Sequence, residues 1–281
     1  MRSDHTGKKL LRWLLPVAIV VLSVFLLQAV FSQRTYHIQK ITPQDGVLDI
    51  RNADVSGCVF NIANEWDFYP AALYTSEDFA SGAAAVKAGQ EESASDTPYG
   101  THRLRILAQP NQYYTICSFS LDFASRVFVN GSEAAAFGRV ADNAEDFVPQ
   151  VGYMTIPMFS GESGEIEIIC QYGNYVHKDG GFIQPTYLST PQNMEEFKEA
   201  NNLASLSVSG GLLFLMLYFL LSAAVRRKAD FLCLAFCCLL MALRDQNFFN
   251  IHLLPADTSW YFAYRVFVLI VMLMPVSILL L

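Results

Sequence analysis

Arg126-Val127-Phe128-Val129-Asn130-Gly131-Ser132 decides how the middle of this chain folds. A β-favouring run meets Asn-Gly, the dipeptide best suited to the two positive φ angles of a type I′ turn, so a two-residue β-hairpin is expected here. Asn130-Gly131-Ser132 also spells a glycosylation acceptor, but the turn explains it fully. On either side the same extended signal repeats. Residues 101–107 alternate, with Leu104 and Ile106 on one face and Arg103 and Arg105 on the other. Residues 113–121 read as a strand, as do residues 164–172, where Ile166, Ile168, Cys170 and Tyr172 share a face. Residues 81–100 are small, polar and acidic, and read as a loop or short helix at the domain edge. Many short strands separated by turns imply an all-β sandwich of the jelly-roll kind.

That sandwich is only part of the chain. Apolar residues make up 53% and charged residues 16%, and the apolar ones sit in blocks, which points to membrane segments. Residues 10–31 form a first apolar run broken by Arg12, long enough at about 1.5 Å per residue to cross a core of about 30 Å. Arg2, Lys8, Lys9 and Arg12 keep its start inside. An anchor helix and a cleaved signal peptide both fit residues 1–32, and either one exports the residues after it. A second run, residues 203–225, ends at Arg226-Arg227-Lys228, again placing a basic end inside. Residues 33–200 are therefore expected outside the cytoplasm. Residues 195–202 read as a polar helical lead that enters the second run and transmits force rigidly.

A third run, residues 229–249, comes almost at once and makes an antiparallel hairpin with the second. It carries Arg244 and Asp245, charges expected to face protein or the interface. Residues 253–259 turn at Pro255, and residues 261–281 form a fourth run headed by the interfacial aromatics Trp260 and Tyr261. That run stops at Leu281 with no polar flank, as a truncated chain would.

Charge obeys the same division. Residues 33–200 hold 10 Lys+Arg against 22 Asp+Glu, a net of −12, while the remainder is net +5. An acidic outer lobe has no basic face with which to neutralise phosphates, so nucleic acid is excluded as a partner. Cys58, Cys117 and Cys170 lie in the outer part, an odd number that allows at most one disulfide. Cys117 and Cys170 sit among apolar residues in strand-like runs, where buried free thiols are the expected reading and a disulfide between them stays open.

Four stretches carry a resemblance to a known family. They are Glu65-Trp66-Asp67-Phe68-Tyr69-Pro70, then Phe128-Val129-Asn130-Gly131 with Gly138, then Gly173-Asn174-Tyr175-Val176-His177-Lys178-Asp179-Gly180-Gly181. The fourth runs from Gly210-Gly211 through Leu217-Tyr218-Phe219 to Arg226-Arg227 and on to Leu240 and Arg244. Together, over about residues 45–281, the chain resembles the bacterial seven-transmembrane receptors with diverse intracellular signalling modules. The resemblance implies a galactose-binding-like jelly-roll sensor domain over residues 33–200 and the first three helices of a seven-helix membrane domain over residues 201–281. It also implies a cytoplasmic output, often a diguanylate cyclase or histidine kinase, which this chain lacks.

A carbohydrate site needs aromatic faces for sugar C–H surfaces and fixed polar groups for hydroxyls. Trp66, Tyr69, Asn174, Tyr175, His177, Lys178 and Asp179 are of those types, and the polar loop before Gly180 and Gly181 suits recognition. Each has a plainer reading: Trp66 and Phe68 alternate as core residues do, and Asn174 and His177 suit backbone bonds within the loop. Asn130, Gly131, Gly138, Gly180 and Gly181 are expected to shape turns. No catalytic residue, metal or cofactor is expected. Glu91-Glu92 and Glu195-Glu196 sit in polar stretches, Asp142, Glu145 and Asp146 lack calcium-ligand spacing, and no nucleophile elbow, phosphate loop or zinc motif occurs. Expected partners are a small-molecule or carbohydrate ligand, the lipid bilayer and a second copy of the chain. A membrane-tethered accessory module of a carbohydrate-active or polysaccharide-assembly enzyme is the alternative reading.

Overall fold

A computed structural model describes residues 37–55, 57–63, 65–84, 97–121, 123–150, 152–176, 185–245, 253–254 and 258–279. The first apolar run, with the anchor or signal reading attached to it, lies outside the described residues. In chain order the strands are β1 (His37–Lys40), β2 (Val47–Asp49), β3 (Cys58–Asn61), β4 (Asp67–Pro70), β5 (Tyr99–Leu107) and β6 (Tyr113–Leu121). They continue as β7 (Ala124–Val129), β8 (Ser132–Phe137), β9 (Gly152–Phe159), β10 (Glu165–Gly173) and β11 (Thr186–Ser189). A short helix, α1 (Ser76–Ser81), falls between β4 and β5, and α2 (Pro191–Arg226), α3 (Asp230–Arg244) and α4 (Trp260–Leu279) come after β11.

Two sheets result. One has the order β1-β3-β11-β6-β9 and the other β2-β5-β10-β7-β8. β4 shares an edge of β5 with β2: β4 pairs antiparallel with residues 100–103, and β2 runs parallel along residues 105–107. The chain crosses between sheets from β8 to β9, β9 to β10 and β10 to β11. Alternation decides what lies between them. Leu104, Ile106, Ile166, Ile168 and Tyr172 from one sheet meet Phe60, Tyr114, Ile116, Met154 and Ile156 from the other in a single apolar core. Burying each such Ile or Leu side chain stabilises by about 1.5–3 kcal/mol. Cys58, Cys117 and Cys170 are all buried free thiols, and burial pushes the pKa of Cys170 up to about 12.

The Asn-Gly hairpin forms as expected. Asn130 and Gly131 hold φ of 48° and 82° between β7 and β8. Asn130 does more than turn: its amide donates to the Glu167 carbonyl at 2.9 Å, and its Oδ1 accepts from the Glu167 amide at 2.8 Å, locking the hairpin onto β10. Gly138 has a φ of 66°, and a Cβ there would lie 2.1 Å from the Val148 carbonyl oxygen. Only glycine allows that approach.

Beyond the sheets the chain is helical. Thr190 accepts from the Asn193 amide and Pro191 opens α2, the cap and first-turn pairing that starts helices. At about 1.5 Å per residue the 36 residues of α2 extend about 54 Å without a break. α3 returns alongside it: Phe219 faces Phe231 near the turn, and Ser205 Oγ donates to Asp245 Oδ2 at 2.8 Å at the far end. Contacts at both ends make the pair antiparallel, as expected. α2 and α4 are each long and apolar enough to cross a membrane. Their apolar side chains largely face outward, with Phe214 72%, Leu221 61% and Val225 82% exposed.

Candidate functional site

Of the expected ligand residues, Trp66, Tyr69, Asn174 and Tyr175 are described, and the first three are buried. Trp66 is buried in the sandwich core, and its Nε1 donates to the Ile62 carbonyl at 2.9 Å. Both its faces and its polar tip are thereby committed to the fold, which corrects its assignment as a sugar platform. Tyr69, three residues on, is also buried, edge-on to Tyr74 and Phe79. Asn174 is 5% exposed; its amide donates to the Pro98 carbonyl and its Oδ1 accepts from the Val176 amide. That is the loop-shaping role of a turn asparagine. Tyr175 is half-buried against Phe147, with its hydroxyl 3.5 Å from the Ala141 carbonyl. His177, Lys178, Asp179, Gly180 and Gly181 lie outside the described residues.

Helix α1 explains why Tyr69 is covered. Thr75 caps it in a reciprocal box with Asp78, and Gly82 ends it at a φ of 73°. The helix lies over the outer face of β5 and β10. There Arg103 stacks on the Phe79 ring at 4.3 Å and donates through Nε and Nη2 to Glu167 Oε1, at 2.8 and 2.6 Å. Ser76 donates to the other Glu167 oxygen at 2.9 Å, and Gln171 Nε2 donates to the Tyr74 carbonyl at 3.0 Å. This face is filled by the protein itself. On the inner face of β5, His102 is buried, stacked on Phe68 and tilted against Tyr172, and burial lowers its pKa to about 3.

The other sheet keeps an opening. The first turns of α2 cross its outer face, held by Asn193 Nδ2 donating to the Val55 carbonyl at 2.8 Å, by buried Met194, and by Phe197 against Tyr187 at 5.0 Å. Beside that seam lies a cleft of about 310 Å³. Cys117, Tyr153 and Thr155 form its floor on β6 and β9, and Glu195, Lys198, Glu199, Asn201 and Asn202 form its helical wall. Thr155 Oγ1 lies 3.8 Å from Cys117 Sγ, and burial raises the Cys117 pKa. Lys198 Nζ reaches Glu195 Oε2 at 3.2 Å. None of these residues was singled out for binding from sequence. The signal was present on the helix: Glu195, Lys198, Glu199 and Asn202 stand at i, i+3, i+4 and i+7, one face of a helix. The floor residues carry no such mark, because only the docking of α2 makes their strand face a cleft. Among the described residues, no group of His, Cys, Asp or Glu is arranged to hold a metal.

No sequence-family profile and no curated protein matches the chain. Solved structures resemble it in part. A GH2 beta-galacturonidase from Eisenbergiella tayi bound to galacturonate is 9% identical, with a TM-score of 0.30 over 44% of this chain and 23% of that one. A beta-glucuronidase of Ruminococcus gnavus is 8% identical, with a TM-score of 0.28 over 48% of this chain and 28% of that one. A family 35 carbohydrate binding module from Clostridium thermocellum is 16% identical, with a TM-score of 0.21 over 37% of this chain and 82% of that one. The chain spans about a quarter of the length of the two enzymes.

Proposed function

We propose that this chain is the sensory portion of a multi-pass bacterial membrane receptor of the seven-transmembrane kind. In this reading the sandwich is a galactose-binding-like jelly roll held outside the cytoplasm. It binds a small polar ligand, carbohydrate by class, and passes the event inward through its membrane helices. The observation that carries the reading is α2. One helix starts on the outer sheet face, anchored by Asn193, Met194 and Phe197, and continues unbroken into an apolar run of membrane-spanning length. A continuous helix transmits a shift or rotation at its start to its far end, where a flexible linker would dissipate it. A ligand moves such an element only if it favours one of two packings over the other.

The exposed apolar side chains of α2 and α4 support a lipid environment, since a water-facing surface of that extent favours association with membrane. The test is binding of the whole chain, reconstituted in lipid nanodiscs, to an oligosaccharide array. Saturable binding of a defined sugar is the expected result. Absence of binding to every sugar removes the carbohydrate clause, and recovery of the chain from the soluble fraction of cells removes the receptor.

A further inference from the structure

We propose that the cleft between the five-stranded sheet and the start of α2 is the ligand site, and that it takes a neutral, hydroxyl-rich molecule of one or two sugar rings. The assignment rests on the receptor reading and adds to it a place and a ligand class. Size agrees: about 310 Å³ falls at the lower end of the ~300–1,000 Å³ typical of small-molecule sites.

Chemistry narrows the ligand further. The helical wall offers acceptors in the Glu195 and Glu199 carboxylates and donors in the Lys198 ammonium and the Asn201 and Asn202 amides. An anion would face two carboxylates against one ammonium, and that ammonium is already held by Glu195 at 3.2 Å. A neutral molecule bearing many hydroxyls satisfies both sets, because each hydroxyl both donates and accepts. Tyr153 and Thr155 give the floor an aromatic edge and a hydroxyl.

Position gives the site its consequence. Glu195, Lys198, Glu199 and Asn202 continue along the same helix face to Ser205 and Ser209, at steps of three and four residues. Both serines are buried, and Ser205 donates to Asp245 at the end of α3. A molecule seated in the cleft therefore touches the face of α2 that meets its neighbour in the membrane hairpin. Asn174 and Tyr175, from the loop expected to bind, bond backbone at Pro98, Val176 and Ala141 instead.

The experiment is titration of the whole chain in nanodiscs with glucose, galactose, mannose, xylose, cellobiose and lactose, with a panel of free amino acids beside them. Three variants accompany it: Thr155→Trp, which fills the cleft from an exposed strand position; Glu199→Gln, which removes one charge-assisted acceptor; and Glu165→Gln, a remote control. Unchanged thermal unfolding midpoints show that the variants fold. The expected result is that a sugar binds the wild type and the control equally, Glu199→Gln weakens it about tenfold, and Thr155→Trp abolishes it. If a sugar binds both cleft variants as well as it binds the wild type, the cleft is not the site, while the receptor reading stands. If amino acids bind and sugars do not, the ligand class is wrong. If nothing on either panel binds, the assignment falls, and the receptor reading is then decided by its membrane topology.

Discussion

Replacing His102 with phenylalanine isolates a single proton in the stability of the sandwich. The imidazole lies 4.8 Å from the Phe68 ring and 5.4 Å from Tyr172, inside the sandwich. Burial lowers its pKa to about 3, whereas an unfolded chain holds histidine near 6.5. As pH falls the unfolded state takes up the proton first, so the contribution is fully present above about 6.5 and is lost progressively down to about 3. At about pH 5 the loss comes to about 2 kcal/mol, within a total on the order of 5 kcal/mol for the whole interval. Urea unfolding of the detergent-solubilised chain, monitored by near-ultraviolet circular dichroism at about pH 7.5 and about pH 5, gives the difference for each protein. Carboxylates titrate in both, so the difference between the two differences belongs to His102. The phenylalanine variant should lose about 2 kcal/mol less than the wild type between those conditions. Equal losses would refute the claim that this histidine is held neutral in the core.

Other perturbations read other parts of the structure. Gly131→Ala brings its Cβ only into ordinary contact with Ser76 at 3.8 Å but forces a side chain to hold a φ of 82°, and should cost about 1–2 kcal/mol in urea unfolding. Gly138→Ala should cost more than Gly131→Ala, since its Cβ would also collide with the Val148 carbonyl. Trp66→Ala should destabilise by about 3–5 kcal/mol, and Trp66→Phe should leave sugar affinity unchanged where the fold survives. Cys117 and Cys170 should resist alkylation in the native chain and react with iodoacetamide, read by mass spectrometry, only after denaturation.

Much of the sandwich was legible because its long strands carry their own period. The 113–121 strand matches β6, and the 164–172 strand is offset by one residue from β10 at each end. Gly131 marked its own turn. The short strands were not legible: β2 and β4 have three and four residues and exist because β5 offers them one edge to share. Trp66 shows the limit for sites. Alternation places it on a face, yet a core face and a sugar-binding face have the same residue types, and only the packing of the second sheet tells them apart. Tyr69 is hidden by α1 at Ser76–Ser81, and most of the loop or short helix expected over residues 81–100 lies outside the described residues. The helix after β11 was read from residue 195, although Thr190-Pro191 already announces it. The cleft depends on contacts between β6, β9 and α2, which no single segment carries.

Everything in the functional reading requires the sandwich to stand on the exported side of the membrane. Glu162→Cys puts an exposed thiol on the turn between β9 and β10, while the three native thiols of the sandwich are buried, so the wild type serves as the blank. Intact bacterial cells are treated with a membrane-impermeant maleimide before and after lysis. Labelling of the variant in intact cells to the level reached after lysis is the result expected of an exported sensor. Labelling that appears only once the cells are broken would put the sandwich in the cytoplasm and contradict the receptor reading at its root.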